Sequence, residues 1–212
     1  MPLRGTPSAI ACDCFGTLLD ASRPPDPAAA VAAALDSHGV AVPEDFEAAY
    51  RRPHHDYDGG REVSLVDHVA AALASRGVDP DHATVDRAVR EAFDRSVTRR
   101  PGANRLLAAA DCPVAVLSNC AVPGLVSRSL DRAGIDRGHL SAVVTSVDCG
   151  FRKPDERAFR AVADALGVAP DSLVHVGDDP ETDGAVDRVG GRPILLEDHS
   201  LTDLAASLEA SG

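Results

Sequence analysis

Three aspartates, Asp13, Asp178 and Asp183, a lysine, Lys153, and two hydroxyls, Thr17 and Ser118, are the residues whose types and surroundings point to chemistry. Asp13 ends the apolar run Ser8-Ala-Ile-Ala-Cys12 and is followed by Cys14, Phe15, Gly16 and Thr17. A carboxylate at the tip of a buried strand is costly unless a cation, amide donors or a reaction accounts for it. Gly16 lets the chain turn tightly, so that the turn amides and Thr17 can face an anion. Lys153 is the only lysine in a chain that otherwise uses arginine for positive charge, which suits a site needing a compact point charge. If the three aspartates converge, they raise one another's pKa until a cation neutralises them. A hard divalent ion, Mg2+, is the natural partner, since it binds through one or two carboxylates plus water and phosphate.

The elements that must bring these residues together are legible as apolar runs. Strand signals fall at Pro113 to Leu117, Ala142 to Thr145, Leu173 to Val176 and Pro193 to Leu196, with helical spacing near Gly124 to Ala133, Asp155 to Leu166 and Asp183 to Val189. Strands alternating with helices predict a doubly wound parallel sheet, an α/β Rossmann-like core, whose sites lie beyond the carboxyl ends of the strands. Asp13, Ser118-Asn119 and the loop Gly177 to Asp183 all fall at such ends. Between Ala21 and Arg99 the pattern is helical without a strand: Ala28 to Ser37, Pro43 to Arg51, Ser64 to Ser75 and Asp81 to Val97. The expected division is a core of residues 1–20 and 100–212 and an inserted α-helical cap of residues 21–99.

Composition excludes several classes of function. A net charge of -12 and aromatics at 3% leave neither a basic surface nor stacking platforms, so neither nucleic acid nor an anionic membrane is expected as a partner. Five cysteines without a C-x-x-C pair read as reduced, buried small hydrophobes. No leader or membrane span is apparent, so the expected location is cytoplasmic and the expected state a monomer or homodimer.

Asp13-Cys-Phe-Gly-Thr-Leu18, Ser118, Lys153-Pro154 and the acidic loop Gly177-Asp-Asp-Pro-Glu-Thr-Asp183 occur in the order of four motifs, and in that order the chain resembles the haloacid dehalogenase superfamily. The resemblance implies Asp13 as nucleophile, Lys153 orienting it, and Thr17 and Ser118 binding anionic oxygens. It also implies Mg2+ held by Asp13, Asp178 and the Phe15 carbonyl, with Asp183 in or beside the ligand set. The family's phosphatases carry a second aspartate two residues after the nucleophile, where this chain has Phe15.

Candidate contacts to a small anionic substrate are Asn119, Gly16 and Phe15 from the core, with Arg51 and His54 from the insert. His54 and His55, with Asp56 and Asp58, offer a metal cluster or a proton, the alternative being a solvated turn. Arg51, Arg52 and Arg61 could steer an anion, or be plain surface charge. The expected activity is Mg2+-dependent hydrolysis of a small phosphorylated metabolite through an aspartyl-phosphate. A 2-haloacid dehalogenase, whose halide leaves without a proton, and a catalytically silent binding relative are the alternatives.

Overall fold

The structure is a computed structural model that describes residues 7–55 and 57–210. Its core strand is β1 (Ala9–Cys12), a fully buried run whose alternate residues face opposite layers. Ala9 and Ala11 pack with Phe159 and Val162 on one side, whereas Ile10 and Cys12 join Leu106, Leu107 and Leu204 on the other. The small alanines let a helix close on the first face.

Two short strands and four helices follow: β2 (Leu19–Ala21), α1 (Pro27–Ser37), α2 (Phe46–Tyr50), α3 (Leu65–Ala74), α4 (His82–Phe93) and β3 (Val97–Arg99). Asp26, Ser64 and Asp81 cap α1, α3 and α4 by accepting backbone amides, and Pro27 opens α1 where its missing N–H costs nothing. The remainder is α5 (Ala103–Ala108), β4 (Val114–Ser118), α6 (Leu125–Arg132), β5 (Ala142–Thr145), α7 (Ser146–Cys149), α8 (Glu156–Leu166), β6 (Leu173–Gly177), β7 (Arg192–Leu195) and α9 (Leu201–Glu209).

Five of these strands form one parallel sheet in the order β5-β4-β1-β6-β7. Its buried strands are held between α8 on one face and α5 and α9 on the other, the doubly wound α/β architecture expected. The carboxyl ends of β1, β4 and β6 therefore open side by side, which brings Asp13, Ser118 and Gly177-Asp178 to one edge. No described helix is long and apolar enough to cross a membrane.

The segment expected to lack strands contains them at both ends. β2 and β3 pair antiparallel, Leu19 with Arg99 and Ala21 with Val97, so the chain leaves and re-enters the core through a two-stranded tie. Three residues are too few to show alternation. The helix expected to reach Val97 stops at Phe93, because Val97 belongs to that tie. Gly184–Val189 is a 3-10 turn, and α5 and α9 are additional helices.

Candidate active site

Asp13 follows β1 directly, its amide donating to the Val176 carbonyl at 2.8 Å, so the carboxylate is fixed to two adjacent strands. The turn after it is closed by Leu18 and Leu19 amides on the Cys14 carbonyl, both at 2.9 Å, and the Arg100 guanidinium donates to the Gly16 carbonyl. Gly16 has φ +100, and a Cβ there would fall on the Asp178 carboxylate. Only glycine allows the acidic loop to approach the turn this closely. Thr17 makes the reverse contact, its hydroxyl donating to Asp178 Oδ1 at 2.8 Å.

Lys153 lies between two carboxylates. Its ammonium, 2% exposed, donates to Asp13 Oδ1 at 2.7 Å, Asp183 Oδ1 at 2.6 Å and the Leu117 carbonyl at 3.0 Å, which uses all three of its protons. Burial alone would lower its pKa, but the charges of Asp13 and Asp183 outweigh that and raise it. Asn119 holds the same residue by its backbone: its amide donates to the Lys153 carbonyl and accepts from the Lys153 N–H, each at 2.8 Å.

Asp183 is 1% exposed and fully engaged. Oδ1 accepts from Lys153 and from His175 Nε2 at 2.9 Å, while Oδ2 accepts the amides of Asp178 at 3.0 Å and Asp179 at 3.1 Å. Burial would raise this carboxyl, yet His175 and Lys153 together hold it well below the usual range. Asp13 differs. Burial, reinforced by Asp183, pushes it up to about 6 against the pull of Lys153, so it is ionised at neutral pH and poorly solvated. Cys12 is pushed up to about 12 and Cys14 is also raised, burial leading in both, so neither flanking thiol is a nucleophile.

One ligand atom from each of Asp13, Asp178 and Asp183 lies within 4.8 Å of the others. The donor chemistry fits a hard divalent ion at Asp13 and Asp178, each of which has only one oxygen held by a side chain. It does not fit Asp183, whose two oxygens are already taken by four donors. The expectation of Asp183 within the ligand set is corrected on that ground: it orders the loop and Lys153. A cavity of about 180 Å3 opens on Asp13, Ser118, Lys153 and Asp178. The Ser118 hydroxyl, 2% exposed, lines it without a hydrogen-bond partner among the described residues.

Residues 7–185 match the family of haloacid dehalogenase-like hydrolases. The chain belongs to that family. A phosphoserine phosphatase of Thermus thermophilus is 37% identical over 61% of this chain, which there spans 53% of the relative's length. In fold the chain is similar to a 2-haloacid dehalogenase from Pseudomonas syringae pv. tomato, with TM-score 0.66, 21% identity, and coverage of 97% of this chain and 99% of that one. A defluorinating L-2-haloacid dehalogenase gives TM-score 0.58 at 23% identity, covering 97% and 96%.

Of the residues expected to act in this haloacid dehalogenase-like hydrolase, Asp13, Phe15, Ser118, Asn119, Lys153, Asp178 and Asp183 all line the cavity at Asp13, Gly16 packs behind Asp178, and Thr17 is corrected, because its buried hydroxyl is taken by Asp178 and does not line the cavity. Asn119 is corrected in part, since both ends of its amide are engaged by Lys153.

Arg51 and His54 are not brought there. Arg51 is exposed and pairs with Glu47 at 3.1 Å and Asp26 at 3.9 Å, while His54 Nε2 bonds the Ala49 carbonyl at 2.8 Å. Both close off local helix ends, which uses up the groups that would meet a substrate. His55 lies against the Asp67 carbonyl, and Asp56 and the Asp58 side chain lie outside the described residues.

His175 is the functional neighbour that the sequence shows least. It faces α8, its ring edge-on to Phe159 at 5.4 Å, and reaches Asp183 from beneath the sheet. The only signal is a polar residue at an inward position of a strand of valines. Burial lowers its pKa, so it is neutral and donates through Nε2. Nδ1 lacks a partner of good geometry, the Ala11 carbonyl making a weak contact only.

Proposed function

We propose that this protein is a Mg2+-dependent phosphomonoester hydrolase that acts on a small phosphorylated metabolite through an aspartyl-phosphate on Asp13. One observation carries the reading: Asp13 and Asp178 each keep an oxygen free of side-chain partners around one cavity, which the Ser118 hydroxyl also lines without a partner among the described residues. The phosphoserine phosphatase similarity supports phosphomonoester chemistry. Residues 21–99 would act as a cap over a core of residues 1–20 and 100–212, and the enzyme would work in the cytoplasm as a monomer or homodimer.

Asp13 and Asp178, with the Phe15 carbonyl, would hold the ion, which when bound supplies charge neutralisation to the phosphoryl oxygens. Lys153 fixes Asp13 through Oδ1 and leaves Oδ2 to attack. The new P–O bond forms as the ester P–O bond breaks, and the alcohol oxygen takes the electron pair. Ser118 and Lys153 line the cavity and would meet the phosphoryl oxygens, where donors stabilise charge that grows in the transition state, while Thr17, its hydroxyl taken by Asp178, holds the acidic loop in place. Water then cleaves the acyl phosphate, which returns the Asp13 carboxylate and releases inorganic phosphate. Phe15 offers no proton to the departing oxygen, so esters of acidic alcohols are favoured.

The dehalogenase alternative draws on Phe15 beside the nucleophile, but four aspartates around the cavity would repel a haloacid. Aryl phosphates, alkyl phosphates and 2-chloropropionate, each assayed with Mg2+ and with chelator, separate the two. The expected outcome is Mg2+-dependent release of phosphate, fastest from aryl esters. Chelator-resistant release of chloride would overturn the proposal.

A further inference from the structure

Beside the acidic cavity lies a larger one of about 560 Å3, and its charge has the opposite sign. Arg23, Arg95 and Arg152 line it against a single carboxylate, Glu62. That carboxylate is already engaged, Oε2 by the Ser146 hydroxyl at 2.7 Å and Oε1 by the Val63 amide at 3.3 Å. The smaller cavity has Asp13, Asp178, Asp179 and Asp183 against Lys153 and Arg23. Arg23, Phe15 and Asn119 belong to both, so the two spaces adjoin at the nucleophile.

Unpaired arginines are unexpected in a chain where acids outnumber bases by 33 to 21. Elsewhere arginines find carboxylates, as Arg76 does with Asp45 and Arg105 with Glu209. Among the described residues the guanidinium groups of Arg23, Arg52, Arg61 and Arg152 make no hydrogen bond or ion pair, Arg61 lying over the Phe151 ring instead, and two of those four face one cavity. The rest of the wall is largely apolar, with Leu65, Phe93, Val122 and Leu125 prominent. Planar guanidinium groups on an apolar wall suit a carboxylate carried by an apolar body.

We infer that the larger cavity is the leaving-group subsite, and that it selects phosphate esters whose leaving group is an apolar, aryl-sized body bearing a carboxylate held by Arg152 and Arg23. The inference rests on the phosphatase reading and goes beyond it to the substrate class. The volume exceeds what a serine leaving group fills, and the surplus of guanidinium charge disfavours an ammonium.

The test uses 3- and 4-carboxyphenyl phosphate, phenyl phosphate and phosphoserine with Mg2+, reading both turnover and calorimetric binding. The better carboxylated ester is expected to exceed phenyl phosphate and phosphoserine about tenfold in kcat/KM, the strength of a charge-assisted contact at a partly exposed site. Arg23→Gln and Arg152→Gln should each collapse that ratio toward one through KM, while Arg52→Gln, which removes the same charge outside the cavity, should preserve it. The inference is overturned by no preference in the wild type, by a preference that survives both substitutions or is lost equally in Arg52→Gln, or by phosphoserine as the best ester. Turnover of no ester, with arginine-dependent binding of the carboxylated one intact, would reject the phosphatase reading and keep the subsite. Neither turnover nor binding would reject both.

Discussion

Asp178 and Asp183 are five residues apart in one acidic loop, yet their surroundings give them different work. Asp178 is exposed and holds only the Thr17 hydroxyl, whereas Asp183 anchors a lysine, a histidine and two backbone amides. Replacing Asp183 by Asn presents an NH2 group to some of those donors and leaves Asp13 as the one carboxylate on Lys153, a broken buried network worth about 3–5 kcal/mol. Urea denaturation without divalent metal should therefore show Asp183→Asn strongly destabilised, with Asp178→Asn within about 0.5 kcal/mol of wild type. Equal stability of the two variants would return Asp183 to the ligand set. Residue type and order sufficed to pick out Asp13, Lys153 and the acidic loop, because Asp13 and the loop sit where strands end and Lys153 is the single lysine, just ahead of a helix. They could not tell a ligand from an anchor, since that depends on which donors the fold aims at each oxygen. Arg51 and His54 misled for the same reason: polar residues in an insert look available until their helix ends claim them.

Strand β6 delivers a neutral imidazole to the site, and this makes the element sensitive to acid. His175 has a pKa below its ordinary 6.5 in the fold, so as pH falls through 6.5 the unfolded chain takes up a proton that the folded chain refuses. Stability present above that pH is lost below it. Asp13 works in the other sense: raised from 3.8 to about 6, it binds a proton in the fold first and gains stability between those values. Comparison with His175→Gln, which keeps a donor to Asp183, separates the two. Between pH 7.5 and 6.0 the wild type should lose up to about 0.8 kcal/mol that the variant does not lose. Parallel pH profiles from denaturant melts would show that His175 takes up its proton as readily in the fold as in the unfolded chain. The period-two pattern that makes β6 readable also places His175 inward. The tie of β2 and β3 was unreadable because three-residue strands show no period, and Val97 fitted the helical spacing before it equally well. Helix α9 did carry a signal, Ser200 capping Asp203 ahead of Leu201, Leu204, Ala205 and Leu208.

At the scale of the molecule, the helical segment is fastened to the core by a short ladder next to Lys153. Glu62 N donates to the Gly150 carbonyl and Arg152 N to the Gly60 carbonyl, both at 2.9 Å, with Arg61 opposite Phe151. Arg157, from α8, clamps this ladder from the core side: its guanidinium donates to the Gly59 carbonyl at 2.6 Å and lies 3.9 Å from the centre of the Phe151 ring. Nothing in the sequence announces the contact, which joins residues almost a hundred positions apart. Arg152 N is bonded into this ladder directly beside Lys153, so the ladder fixes the backbone that carries both residues. Arg157→Met keeps the apolar stem but removes the carbonyl bond, the cation-π contact and an exposed ion pair with Asp155 within the core, the first two together worth about 1–2 kcal/mol to the ladder. The Asp155 cap on the Arg157 amide survives the change, so α8 should stay intact. Hydrogen exchange should then quicken roughly five- to thirtyfold at the amides of Glu62 and Arg152, with the global denaturation midpoint little moved. KM for a phosphate ester should rise with it, because a looser segment leaves the leaving-group cavity less often formed. Unchanged exchange at those amides would mean that the backbone ladder and the Leu65 amide on the Ala121 carbonyl hold the segment without Arg157. Faster exchange with unaltered KM would instead uncouple docking from substrate binding.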